Sequence, residues 1–141
     1  MNTWVGAAAA IWLGMVLAIS FLEAPLKFRA PGVTVPLGLG IGRLVFAALN
    51  AVECVLAVGV LLALLLGQRS PALLICASVT IVLLVVQMAV IRPRLSRRSD
   101  RVLAGEDVPR SRAHHAYVVT EIVKVVGLGA TVVVALELFT G

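Results

Sequence analysis

Four long apolar stretches dominate the chain, and the segments between them carry most of its charge. They run over 3–22, 44–66, 71–91 and 116–139. Each reaches the roughly 20 residues that an α-helix needs to cross about 30 Å of hydrocarbon. Open sheet edges cannot be satisfied in lipid, so the pattern predicts an all-α fold: an integral membrane four-helix bundle forming one transmembrane domain over 1–141.

A few polar positions interrupt this background at helical spacing. Arg43, Phe46, Asn50 and Glu53 recur every three or four residues, as do His114, Tyr117, Glu121 and Lys124, so each set forms one stripe along its helix. At 1.5 Å per residue, Glu53 is expected roughly 15 Å above Arg43, and Glu121 and Lys124 roughly 10 to 15 Å above the start of the fourth span. The two sets therefore share a level. Glu23 closes the first span, and Gln87 lies about 7 Å above Arg92 in the third. An ionisable group at mid-bilayer costs at least about 2.5 kcal/mol on insertion scales, so such residues usually face the bundle interior and mark a site. The other half of each span offers only Cys, Ser and Thr until Glu137, and no continuous polar pore is visible.

Composition agrees with this reading. With 61% hydrophobic and 13% charged residues, the chain lies outside the range of soluble domains. Lys27 and Arg29 follow the first apolar run rather than precede it, so that run is expected to be a retained span, not a cleaved signal. Lys27, Arg29 and Arg43 flank the first connection (23–43). Arg92, Arg94, Arg97, Arg98, Arg101, Arg110 and Arg112 crowd the third (92–115), whereas the second has only Arg69. Positive charge accumulates on the cytoplasmic side. Connections one and three are thus expected to be cytoplasmic, both termini outside, and the protein multi-pass in the cell (cytoplasmic, inner) membrane.

The net charge of +5 then describes one membrane face rather than a nucleic-acid binder. Membrane lipids with anionic headgroups are the expected partners of the arginines. Pro31, Pro36, Gly38, Gly40 and Gly42 are expected to keep the first connection non-helical, either as a plain apolar loop or as a short re-entrant segment. A short helix is expected around 96–104 in the third. Gly6, Ala10, Gly14 and Ala18 form a ridge of small residues that suits close helix packing, within the bundle or in a homo-oligomer. Cys54 and Cys76 read as buried small hydrophobes rather than a disulfide.

Catalytic and metal motifs are missing. Glu23, Glu53, Glu121, His114 and His115 lack the Glu-x-x-His spacing of di-iron bundles, and no metal or other cofactor is expected. There is no nucleophile elbow, phosphate loop or His-Glu-x-x-His pattern.

The segment 43–53, with Arg43, Ala47, Asn50 and Glu53, resembles the second-helix motif of the membrane-associated eicosanoid and glutathione metabolism superfamily. Members of that superfamily are four-helix, trimeric proteins that bind glutathione from the cytosolic side. The resemblance implies that Arg43, Asn50 and Glu53 hold a glutathione-like ligand. The chain departs from the motif at Phe46, where the family usually places an arginine. The phrase Ser-Phe-Leu-Glu-Ala-Pro-Leu-Lys-Phe-Arg-Ala-Pro-Gly at 20–32 also resembles small four-span bacterial membrane proteins, which implies no mechanism.

These features together predict a polar pocket inside the membrane, open to the cytoplasm, that binds a small or amphipathic ligand. Its expected ligand-binding residues are Arg43, Asn50, Glu53, Tyr117, Glu121 and Lys124, with Glu23, Gln87 and His114 as secondary candidates. Three alternatives stand beside it: a proton- or cation-coupled transporter subunit, a membrane scaffold or assembly subunit, and a glutathione-transferase-like enzyme. The bland alternative is that Glu121 and Lys124 neutralise each other while Asn50 and Glu53 act as polar glue between helices.

Overall fold

The computed structural model describes residues 2–67 and 70–140. It contains four long helices: α1 (Thr3–Lys27), α2 (Val35–Leu66), α3 (Pro71–Leu103) and α4 (Arg112–Thr140), each long and apolar enough to cross a membrane. No strand occurs among the described residues. Helix α1 packs against α2 and α4, α4 also packs against α3, and α2 meets α3, so the helices close into a ring around one core.

The exterior is apolar and the interior partly polar, the reverse of a water-soluble bundle. Leu44, Leu66, Ile75, Val126 and Phe139 are exposed, whereas Glu53, Gln87, Glu121 and Lys124 are buried. That distribution suits a lipid environment and fits a multi-pass membrane protein.

Helix starts follow ordinary capping chemistry. Thr34 Oγ1 accepts from Leu37 N–H (3.3 Å) with Pro36 in the first turn, and Ser70 Oγ accepts from Leu73 N–H (3.5 Å) ahead of Pro71. Gly32 (φ 81°), in the turn after α1, and Gly105 (φ 91°), after α3, take the left-handed conformation that ends helices.

Two elements differ from expectation. The first connection is shorter than its Pro and Gly content predicts, because α2 begins at Val35 and runs through Gly38, Gly40 and Gly42. Packing explains two of these glycines. A Cβ on Gly38 would collide with the Phe28 ring, and one on Gly42 would sit 3.1 Å from Lys27 Nζ. The glycines let the end of α1 fold against the start of α2. In the third connection, the helix expected around 96–104 is instead the continuation of α3 as far as Leu103.

Both α1 and α3 contain a π-helical stretch, Leu17–Glu23 and Gln87–Ile91, and each stretch ends two residues before a proline, Pro25 or Pro93. Proline lacks the N–H and crowds the carbonyl one turn back. A widened turn absorbs that conflict without ending the helix.

Interior side chains form layers. Val5, Val60, Leu64, Leu73, Ala77 and Ala135 make one, and Ala9, Trp12, Val16, Ala57, Leu84 and Leu128 the next. On α1 the buried stripe is thus Val5, Ala9, Trp12 and Val16. Of the small-residue ridge only Gly6 is buried, where a Cβ would lie 3.0 Å from Ala135 Cβ, while Ala10, Gly14 and Ala18 are exposed.

Gly38→Ala is expected to lose about 1 kcal/mol, because the Phe28 ring must swing away. Gly40→Ala, with nothing within 4 Å of its Cβ, is expected to hold or gain stability. Melting temperatures in mild detergent separate the two outcomes.

Candidate functional site

Beyond the second apolar layer all four helices contribute to one polar cluster. Lys124 of α4, fully buried, donates to Glu53 Oε1 of α2 (2.6 Å) and to Gln87 Oε1 of α3 (2.8 Å), and pairs with Glu121 Oε1 one turn earlier (2.5 Å). Gln87 Nε2 donates to Glu121 Oε1 (2.8 Å) and to Thr120 Oγ1 (2.9 Å). Trp12 of α1 closes the ring by donating Nε1–H to Glu53 Oε1 (2.8 Å). Low dielectric strengthens each of these bonds and makes each unmade one costly. Two oxygens, Glu53 Oε2 and Glu121 Oε2, are buried and meet no hydrogen-bond donor.

A cavity of about 440 Å³ opens beside the cluster, between the π-helical end of α1, the start of α2, the arginine-rich end of α3 and the start of α4. Glu121 and Tyr117 line it toward the cluster. Phe21, Phe28, Leu39 and Leu95 form apolar wall, and Lys27, Arg43, Arg92, Arg98 and Arg110 bring positive charge. Phe46 is central to the wall. Its ring meets Tyr117 edge to face (5.7 Å), and Lys27 Nζ and Arg92 Cζ each lie 5.6 Å from its centroid. Arg92 also donates to the Phe46 carbonyl (3.1 Å).

Several cations are held in place. Arg43 pairs with Asp100 (2.5 Å), Lys27 with Glu23 (3.4 Å), and Arg98 donates to the carbonyls of Val108 and Pro109. Ser20 Oγ, on the wall, is buried without a hydrogen-bond partner.

The structure thus divides the sequence-derived residues between two adjoining features. Glu53, Gln87, Glu121 and Lys124 meet in the cluster, while Arg43, His114, Tyr117 and again Glu121 line the cavity. Asn50 joins neither. It is three residues before Glu53, hence about 60° round the helix, and is half-buried off the interior stripe of Leu49, Glu53 and Ala57. Glu23 sits beside the cavity as the partner of Lys27.

Trp12, Lys27 and Arg92 take site positions that the sequence pattern does not assign, and Phe46, already on the stripe with Arg43 and Glu53, proves to be part of the wall. Trp12 was detectable only through its place on the stripe with Val5, Ala9 and Val16. Among the described residues no group of three or more His, Cys, Asp or Glu side chains is arranged to hold a metal ion.

Comparison of the chain with family models, with curated proteins and with solved structures gave no match in any of the three.

Proposed function

We propose that the protein is an integral membrane protein whose cavity binds an anionic amphiphile from the cytoplasmic side. The observation that carries this reading is the lining: five cationic side chains and a buried, unpartnered Ser20 hydroxyl around walls of Phe21, Phe28, Leu39 and Leu95. Pockets that take small ligands combine apolar walls with a few placed polar groups in this way. A carboxylate or phosphate head would lie among Lys27, Arg92 and Arg110, and an acyl or similar chain against the phenylalanines and leucines. The arginine excess of the same end supports a cytoplasmic mouth. Arg43, Tyr117, Glu121 and His114 are binding-site residues in this reading. Glu53 and Lys124 support the site from behind, and Asn50 is left out of it.

Binding to the purified protein in nanodiscs tests the reading, with a long-chain fatty acid, the matching fatty alcohol, a lysophosphatidic acid and glutathione as probes. The charged amphiphiles are expected to bind at least about tenfold more tightly than the alcohol, a difference of about 1.4 kcal/mol. Arg110→Gln is expected to erase most of that preference. Equal binding of acid and alcohol overturns the reading. Binding of glutathione alone replaces it with the ligand that the second-helix resemblance implies.

A further inference from the structure

The cluster behind the cavity has a donor and charge count that does not close. Lys124 has three N–H bonds; it donates to Glu53 Oε1 and Gln87 Oε1 and forms an ion pair with Glu121 Oε1, so its ammonium is already shared among three acceptors. Gln87 spends its amide on Glu121 and Thr120, and Trp12 its single N–H on Glu53. Glu53 Oε2 and Glu121 Oε2 are left bare, in side chains that are 1% exposed. With both carboxyls ionised, two negative charges face one positive charge in an apolar interior. A solitary buried charge of that kind is what proteins avoid by pairing or by neutralisation.

No further cation is placed against the bare oxygens. Among the described residues, α1 brings Trp12 and Ser20 to this region, with Glu23 and Lys27 paired to each other nearer the mouth. Helix α2 brings Glu53 and Cys54, whose thiol donates to Met88 Sδ (3.4 Å). Helix α3 brings Gln87, with Arg92 turned to Phe46, and α4 brings Tyr117, Glu121 and Lys124, with His114 at the cavity.

We propose that Glu53 and Glu121 together hold one exchangeable proton, so that the cluster is a proton-binding site served by the cavity through Glu121. One proton brings the cluster to neutrality and turns one bare acceptor into a donor. A metal cation fits less well. The Lys124 ammonium stands within 2.6 Å of both carboxyls and repels it, and two bare oxygens fall far short of the six or so that hard cations collect.

The test is the infrared carboxylic-acid C=O band of the protein in nanodiscs at neutral pH, in H₂O and D₂O. The parent is expected to show one buried protonated carboxyl per chain that shifts on deuteration. Glu53→Gln and Glu121→Gln are each expected to abolish the band, since one carboxylate against one ammonium needs no proton. Lys124→Met is expected to double it.

A parent with no such band overturns the proposal, and if sodium then raises its melting temperature the site is a cation site instead. A band that persists in both glutamine variants belongs to other carboxyls and equally overturns it. The parent spectrum decides even where a variant fails to fold.

Discussion

Lys124→Met is expected to cost the bundle about 3–5 kcal/mol, read as a lower melting temperature or an earlier unfolding midpoint in detergent. Lys124 is the hub of the cluster, and its removal takes the counter-charge from Glu53 and Glu121, which keep only the Trp12 and Gln87 donors, and the donor from the Gln87 carbonyl oxygen. Lipid offers no remedy, since the three groups face inward and are buried. Adding Glu53→Gln and Glu121→Gln to Lys124→Met removes both stranded charges and should recover most of the loss. If the triple variant is no more stable than Lys124→Met, the cost lies in the shape of the lysine side chain rather than in its charge.

Trp12→Ala is expected to lose about 3 kcal/mol, near the low end for aromatic truncation in a core. Trp12 is 1% exposed, packs in the layer with Val16, Leu84 and Leu128, and gives Glu53 its only hydrogen bond from α1. Lipid tails are as apolar as the core, so the loss comes from packing and from the missing donor rather than from transfer out of water. Trp12→Phe separates the two terms. It keeps most of the ring volume and loses the N–H, and about 1–3 kcal/mol of the effect should remain. A Trp12→Phe variant as stable as the parent would mean that the bond to Glu53 contributes nothing net.

The four helices were legible because a span needs a long apolar run, and that signal is hard to miss between Leu44 and Leu66 or Pro71 and Ile91. Helix extent was not, because Gly38 and Gly42 read as breakers when only the chain is seen. Their role appears once Phe28 and Lys27 are found against them. Within the site, the common level of Glu53, Glu121 and Lys124 follows from counting residues along α2 and α4, which run in the same direction. Counting cannot fix rotation to better than a residue, so spacing alone aligns Asn50 with Glu53 although it lies off the interior stripe of Leu49, Glu53 and Ala57. Trp12 is hidden because an aromatic residue in an apolar span has no contrast with its surroundings, whereas Phe46 stands on the stripe of Arg43, Asn50 and Glu53 and only its contacts with Lys27, Arg92 and Tyr117 are not written in the sequence. Arg92 was hidden for another reason: in a run of arginines, its contact with Phe46 has no mark in the sequence.

The layering has an electrical consequence. On one side of the cluster lies the cavity. On the other, the core holds apolar side chains together with Thr80 and Thr131, whose hydroxyls are turned back onto carbonyls of their own helices. From Lys124 to Thr140, α4 rises about 24 Å. In an energised membrane with water in the cavity, most of the voltage would fall across this apolar plug. Glu121 and Lys124 then stand close to the potential of the arginine-rich face, and a charge reaching them from that face does little electrical work. Crossing the plug would involve most of the field, which in full is about 2.3 kcal/mol per elementary charge for each 100 mV.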